Sequence, residues 1–403
     1  MRILMVNKFL YPRGGSETYM FELADNLVKR GNKICYFGMY DQQNIVNMPK
    51  DMLVGNMDFR RKSIKNLSYP FRIIYSIEAR KKIGVLIKEF KPHIVHLNNY
   101  NFQITPSIIY EIKKYRIPIV QTLHDYAILC PAHTLYNSRK GEVCEKCKGY
   151  KYVNCIRLKC IHNSLMKSII GAMEGYLYHW KKTYDYISTF ICPSGFIAAK
   201  VAQFGIAPHK LKVLHNFTTG NEFDGGYKKQ DYVLYFGRIS EEKGIRSLLK
   251  AVSELKHIRF VFAGSGPMDM DIKGYDNIIY VGFKTGQELK ILIKESLFTV
   301  YPSEYYDNCP MSILESQTLG TPVIASNIGG IPELVKDNYS GLLFEAGNTK
   351  DLTVKIDTLY QNRELINLFS ERCREIINMY SKEAYCDEIT NIYNESLAGC
   401  GGN

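Results

Sequence analysis

No stretch of this 403-residue sequence approaches the roughly 18–20 consecutive apolar residues that a membrane-spanning helix requires. The opening RILMV is interrupted by Asn7-Lys8 and then PRGG, too soon for the core of a secretory leader. A soluble or peripheral protein is therefore expected. Internal repeats and low-complexity tracts are also missing, which excludes solenoids and arrays. Cysteine is not scarce, at 11 residues, but without a leader the thiols do not read as a disulfide scaffold. Acid is what the first half lacks. Residues 1–212 carry 33 Lys and Arg against 14 Asp and Glu, a net +19, whereas residues 213–403 carry 19 against 26, a net −7. A basic front half and an acidic back half point to two domains with different partners. The first should face something anionic, a membrane surface or nucleic acid.

With 46% apolar and 12% aromatic side chains the chain is globular. RILMV (2–6) predicts a strand, Gly14-Gly15 a turn, Ser16 an N-cap, and the apolar spacing at 20, 23, 24, 27 and 28 a helix ended by Gly31. KICYFGM, HIVHL (93–97), IPIVQTLHD (117–125), ISTFICPS and KLKVLHNF (210–217) continue as strands. Residues 59–91 are basic and amphipathic, with Arg60, Arg61, Lys62, Arg80, Lys81 and Lys82 among aromatics, and 165–184 is a second such stretch. A polar break near 213–230 precedes a fresh alternation: YVLYFGRI, a helix, IRFVFAGSG, NIIYVGF, a helix, and LFTVYPS. Pro310 suits a first helical position, MSILESQTL the helix, and Gly320 its end before TPVIAS. A final amphipathic stretch runs from about 382 to 398. The pattern is α/β: two doubly wound parallel-sheet halves, 1–212 and 213–382, followed by a C-terminal helix within 383–403.

Open α/β sheets bind ligands beyond the carboxyl ends of their strands. PRGG, TLHD, GRISEEKG, AGSGP and the segment from Tyr301 to Glu315 fall at such ends. Arg238 and Lys243 flank a strand–helix junction, where a guanidinium fork and an ammonium beside helix amides suit a pyrophosphate. Asp307 and Glu315 stand either side of a Cys-Pro step. Glu315, about one and a half turns inside its helix, can accept two bonds from a ribose diol, and Asp307 can grip a hydroxyl of a second ring.

These segments carry a resemblance. PRGGSE, TLHDYAILCP, PSGFIAAKVAQFGI with KVLHNF, FGRISEEKGIRSLLKA, FAGSGP, VGFKTGQEL and PSEYYDNCPMSILESQTLGTPVIASNIGGIPELV are similar to the motifs of the retaining glycosyltransferases of family four. The last matches the Glu-x7-Glu signature of that family, with Asp307 in place of the first acid. The resemblance implies a GT-B fold, two Rossmann-like domains facing each other across a cleft, with the C-terminal helix returning to the first. It implies Glu315 on the nucleotide ribose, Asp307 on the transferred sugar, and Arg238 and Lys243 on the donor diphosphate. It places Gly14 and Gly15 near the phosphates, Gly264 in the donor-binding site, His124 in the active site, the backbone of Asn308, Cys309 and Met311 at the sugar, and Phe283 at the base. A nucleotide-sugar donor, UDP-linked by family habit, a saccharide or lipid-diphosphate-linked acceptor, front-face transfer with retention, and no catalytic divalent ion follow from the same resemblance. So does work on cell-surface polysaccharide at the cytoplasmic face of a bacterial plasma membrane, whose anionic surface the basic half would meet.

Asp269-Met-Asp271 imitates a metal-binding DxD without the fold that uses it. An insertion at about 130–162 holds Cys144-x2-Cys147 and Cys155-x4-Cys160, with Cys130, His133 and His162 as alternates. The spacing favours a small structural zinc site over thiols packed in a loop. Two rival functions stay open: a nucleotide-sugar 2-epimerase of the same fold, and a nucleic-acid-binding protein with a zinc knuckle, for which the basic residues form no recognition motif. A nicotinamide-dependent dehydrogenase is less favoured, because Gly264-Ser-Gly266-Pro lacks the third glycine of that fingerprint.

Overall fold

A computed structural model describes residues 1–56, 69–218 and 228–401. It divides into two compact units, one of Met1–Leu135, Cys144–Leu214 and Lys382–Asn403, the other of Tyr136–Val143 and His215–Ser381. Arg60, Arg61 and Lys62 lie outside the described residues, as does part of the expected break near 213–230.

The first unit runs β1 (Arg2–Val6), α1 (Gly15–Lys29), β2 (Lys33–Phe37), α2 (Tyr69–Ile74), α3 (Ile77–Phe90), β3 (Ile94–Leu97), α4 (Ser107–Lys114) and β4 (Ile119–Thr122). A short antiparallel hairpin, β5 (Tyr136–Asn137) and β6 (Glu142–Val143), groups with the second unit. The first unit continues with α5 (Val153–Leu158), α6 (Leu165–Trp180), β7 (Thr189–Cys192), α7 (Gly195–Gln203) and β8 (Leu211–Val213). Its sheet is parallel throughout, in the order β2-β1-β3-β4-β7-β8. Strands covered by helices on both faces read as unbroken apolar runs, and Ile3, Leu4, Met5 and Val6 are fully buried.

In the second unit β9 (Val233–Arg238), α8 (Ile245–Glu254), β10 (Phe260–Ser265), β11 (Ile278–Gly282), α9 (Gly286–Glu295) and β12 (Phe298–Tyr301) are followed by α10 (Met311–Thr318), β13 (Val323–Ser326), β14 (Gly341–Phe344), α11 (Thr349–Gln361) and α12 (Arg363–Ile376). The sheet order is β11-β10-β9-β12-β13-β14, again all parallel. In α8 the buried set Ile245, Leu248, Leu249 and Val252 follows helical spacing and seats the helix on the core. Winding outward from β9 in both directions puts the reversal of strand order between β9 and β12; the first sheet reverses between β1 and β3. Those are the places where an open sheet gathers its ligand-binding loops.

The C-terminal helix α13 (Lys382–Gly401) belongs to the first unit through polar contacts that its sequence does not advertise. Tyr385 and Tyr19 share a hydroxyl bond of 2.6 Å, and Tyr393 meets His96 Nδ1 at 2.6 Å. The far ring nitrogen of His96 meets Thr122 at 2.8 Å, and burial lowers this imidazole to about 3. It is a neutral strut.

Two sequence expectations shift. The cap of α1 is Gly14 in extended conformation, not Ser16, whose hydroxyl accepts from Asn99 Nδ2 at 2.9 Å inside the first turn. Pro310 precedes α10 instead of opening it, because its ψ of 122° is extended although its φ of −66° is helix-compatible.

Gly264, next to last in β10, has φ +154°, and a Cβ there would lie 1.9 Å from the Gly237 carbonyl oxygen of β9. Backbone meets backbone there, so no rotamer change relieves the clash. Gly264→Ala is expected to cost more than about 2 kcal/mol, measured by denaturant unfolding; a change below ~0.5 kcal/mol would contradict this packing.

Candidate active site

The second unit builds its site at the carboxyl ends of β9 and β12. After β9 a 3-10 turn, Glu241–Lys243, stops at Gly244, φ +72°. A Cβ on Gly244 would sit 1.8 Å from the Pro302 carbonyl oxygen just beyond β12. That approach sets Lys243 against the loop after β12. Its ammonium lies 2.9 and 3.1 Å from the two Asp307 oxygens, 2.7 Å from the Tyr301 hydroxyl and 3.3 Å from that of Tyr305. Both phenols in turn donate to Asp307, at 2.7 and 2.6 Å. Burial opposes the Asp307 charge, but Lys243 and the two hydroxyls outweigh it and hold the carboxyl below its usual range. Tyr301 is raised well above its ordinary value by burial and then by the Asp307 charge. Lysine and aspartate were assigned to different parts of a donor; here they are paired.

Arg238 closes β9 with its side chain largely exposed, one guanidinium nitrogen 3.8 Å from Glu242. Its backbone is opposite Ser265, one residue past Gly264. Phe283 follows β11 as an exposed ring. Cys309 is committed to packing: it is buried, its sulfur accepts the Asn216 amide at 3.3 Å, and its carbonyl accepts Asn216 Nδ2 at 3.0 Å. Asn308 is buried beside it, and Met311, half-buried, begins α10. Glu315 is the fifth residue of α10, and desolvation raises its carboxyl to about 7.

In the first unit Gly14 caps α1 and Gly15 opens it, with Glu17 buried in the first turn and accepting Asn7 Nδ2 at 3.1 Å. His124 lies two residues past β4. Its Nε2 is 2.9 Å from Asn98 Oδ1, and Tyr19 packs edge-on at 4.9 Å between ring centroids. An amide oxygen only accepts, so Nε2 carries the proton. Burial lowers this imidazole to about 4, with Asp125 pulling the other way; it is neutral near pH 7.

The cysteines of the insertion gather in one place. Cys147 and Cys155 are buried with Tyr152, Ile161 and Ala172, and Cys160 packs at the edge. The bond Cys155 makes to Cys160, together with burial, keeps the Cys155 thiol protonated. His133 stacks on Phe102 and lies 3.7 Å from Asp125. Among the described residues no three His, Cys, Asp or Glu side chains are arranged to hold one metal ion. Cys147 lies within electrostatic reach of Cys130, Cys160 and Cys144, and Cys155 of Cys160, Cys130 and Cys147; zinc at Cys144, Cys147, Cys155 and Cys160 stays an expectation of the spacing. Sequence reasoning missed Tyr301 and Tyr305. Their signal was faint: phenols two and six residues before an acid at a strand end.

Glu315 makes a pH test with a definite sign. Its folded carboxyl, near 7, lies above the ordinary 4.5. The folded state thus holds the proton more tightly, and stability falls as pH rises from about 4.5 to 7. Glu315→Gln is expected to raise the unfolding temperature at pH 8 and to lose that advantage below pH ~4.5. An equal gain at both pH values would exclude desolvation as the cause.

Comparison with known proteins identifies the family of the chain. A family model for glycosyltransferase family 4 matches residues 13–219, and one for glycosyl transferases group 1 matches residues 221–376. An uncharacterized glycosyltransferase of Methanocaldococcus jannaschii is 29% identical over 98% of both chains. An α-1,4-N-acetyl-D-galactosaminyltransferase of Campylobacter jejuni, named for an undecaprenyl-diphosphate-linked saccharide, is 26% identical over 46% of this chain and 56% of its own. The Anabaena protein HepE, crystallised with UDP, superposes with a TM-score of 0.68 over 98% of this chain and 100% of its own, at 17% identity. The chain belongs to glycosyltransferase family 4, and its two parallel α/β domains are those of the GT-B fold.

Proposed function

We propose that this glycosyltransferase moves a sugar from a UDP-sugar onto a saccharide or lipid-linked saccharide, retaining the anomeric configuration, during cell-surface polysaccharide synthesis. The observation that carries the reading is the partly buried Lys243–Asp307 pair at the strand-order reversal, with the exposed Arg238 guanidinium ending β9. The UDP complex of the Anabaena protein and the lipid-linked saccharide in the Campylobacter enzyme's name support donor and acceptor. A bacterial plasma membrane, met from its cytoplasmic face, is the proposed place of work.

In the proposed reaction the bond from the anomeric carbon to the diphosphate oxygen breaks. The acceptor oxygen bonds to the same face of the sugar, and its proton passes to the departing phosphate. Charge collects on that phosphate, where fixed cations in a dry site contribute most. Arg238 is assigned to the diphosphate. Lys243, held by Asp307 and two phenols, is assigned to the same charge at the cost of little reorganisation. Glu315 takes the ribose hydroxyls when ionised, and Asp307 a hydroxyl of the transferred sugar. In the first unit Gly14 and Gly15 offer helix-terminal amides to phosphate, and neutral His124 serves the sugar as a hydrogen-bonding group. With side chains neutralising the diphosphate, turnover is expected to persist in EDTA.

Thermal-shift screening against nucleotide sugars tests the donor, with stabilisation by a UDP-sugar expected and none by any nucleotide sugar fatal to the reading. Lys243→Ala is expected to lower turnover roughly 10²-fold or more with the fold retained. Turnover near wild type would remove Lys243 from the mechanism, and a product of inverted configuration by NMR would end the retention proposal.

A further inference from the structure

The helix α6 is built inside out. Gly171, Ala172, Ser168, Glu174 and Tyr178 are its buried side. Facing away, Met166, Ile170, Met173, Leu177 and Trp180 recur at helical spacing within an arc of roughly 80°. Met166 is 65% exposed, Met173 53% and Trp180 80%. A helix seated on a globular unit normally buries its large apolar residues and shows its small and polar ones, so among the described residues this face is short of a partner. Its only acid, Glu174, is on the buried side, while Lys167, Lys181 and Lys182 are exposed at its two ends. Beside it α2 is tied on by Tyr178, whose hydroxyl donates to the Ile74 carbonyl at 2.6 Å, and α2 presents Phe71, also exposed.

Two of the cations expected at a docking surface elsewhere in this unit are spent internally. Arg80 pairs with Glu111 at 3.0 Å, and Lys82 with Glu78 at 3.1 Å and with the Leu53 carbonyl. No helix among the described residues is long and apolar enough to cross a membrane. An apolar stripe ending in a tryptophan, with lysines at both ends and no exposed carboxylate, has the charge and shape of a segment lying in a bilayer interface.

We propose that the outward face of α6 inserts at the headgroup–acyl boundary of an anionic phospholipid bilayer, with Met166, Met173 and Trp180 as the buried anchors and Lys167, Lys181 and Lys182 on the headgroups. This rests on the reading of a lipid-linked acceptor and specifies how the enzyme reaches it. Anchorage is then chiefly apolar, so part of it survives salt that screens the lysines.

Trp180 is the chain's only tryptophan, so its emission reports the site directly. The full-length protein is mixed with phosphatidylcholine vesicles, with and without phosphatidylglycerol. Floating with the anionic vesicles, a blue-shifted Trp180 emission, quenching by bilayer-embedded brominated lipid, and retained binding in about 0.5 M salt are expected. The double variant Met173→Ser, Trp180→Ser is expected to lose roughly tenfold or more in partitioning while keeping the thermal shift with UDP-sugar. Binding that vanishes in salt with unaltered Trp180 emission would overturn the proposal, as would no flotation. A blue-shifted emission without vesicles, in a protein that sediments as a dimer, would assign the face to a second copy of the chain and overturn it too. Failure of the UDP-sugar shift in the wild type would strike the donor reading and leave the membrane result standing.

Discussion

The second unit is organised around one desolvated ion pair. Taking a lysine and a carboxylate out of water costs several kcal/mol per ion, and their attraction offsets this only when the remaining hydrogen-bonding capacity is met. Tyr301 and Tyr305 meet it: each phenol accepts from Lys243 and donates to Asp307. The ammonium has three hydrogens and four oxygens within 3.3 Å. On the proposed reading an arriving diphosphate or sugar hydroxyl competes with these partners. Lys243 therefore contributes at short range, in a geometry fixed beforehand. The exposed guanidinium of Arg238, 3.8 Å from Glu242, acts from further out. Asp in place of Glu shortens the acid by one methylene, and here that shorter arm reaches the lysine directly.

The same loop and helix hold a second acid in the opposite electrostatic state. Lys243 and two hydroxyl donors keep Asp307 ionised, whereas Glu315 is desolvated with no cation among the causes of its shift. Two carboxylates with seven residues between them are thereby tuned to opposite sides of the ordinary range. An acid that is uncomfortable when empty and ionised is relieved by a diol that donates two bonds. On the proposed reading, a helix that gives up folding stability at neutral pH is the expected signature of such a site.

The alternation of strands and helices, the two parallel halves and the residues at strand ends were legible in the sequence, because burial on both faces makes parallel strands read as apolar runs and glycine marks backbone that must approach backbone. What was not legible depends on which side of an element faces in. Tyr301 ends a buried strand and reads as core; only the close approach at Gly244 turns it into a ligand of Lys243. Spacing in Cys144-x2-Cys147 and Cys155-x4-Cys160 is one-dimensional, and it matches metal ligands whether or not the chain folds the sulfurs toward a common point. The apolar period of α6 is equally satisfied by either orientation, and its glycines decided the matter: Cβ atoms at Gly171 and Gly175 would press on Ile161 and Tyr152, so the small residues must face in.

That orientation bears on how the charge of the first half is used. A net +19 over residues 1–212 invites a purely electrostatic account of any anionic partner. The magnitudes argue otherwise. A lysine near an anionic bilayer contributes about 1 kcal/mol, and salt reduces it. A methionine or larger side chain taken from water contributes about 1.5–3 kcal/mol, and salt leaves it intact. Arg80 and Lys82 are occupied by Glu111 and Glu78, so the free basic surface is smaller than the composition promises. On the proposed bilayer contact the apolar face of α6 therefore outweighs its flanking lysines, whose part would be to choose an acidic bilayer over a neutral one.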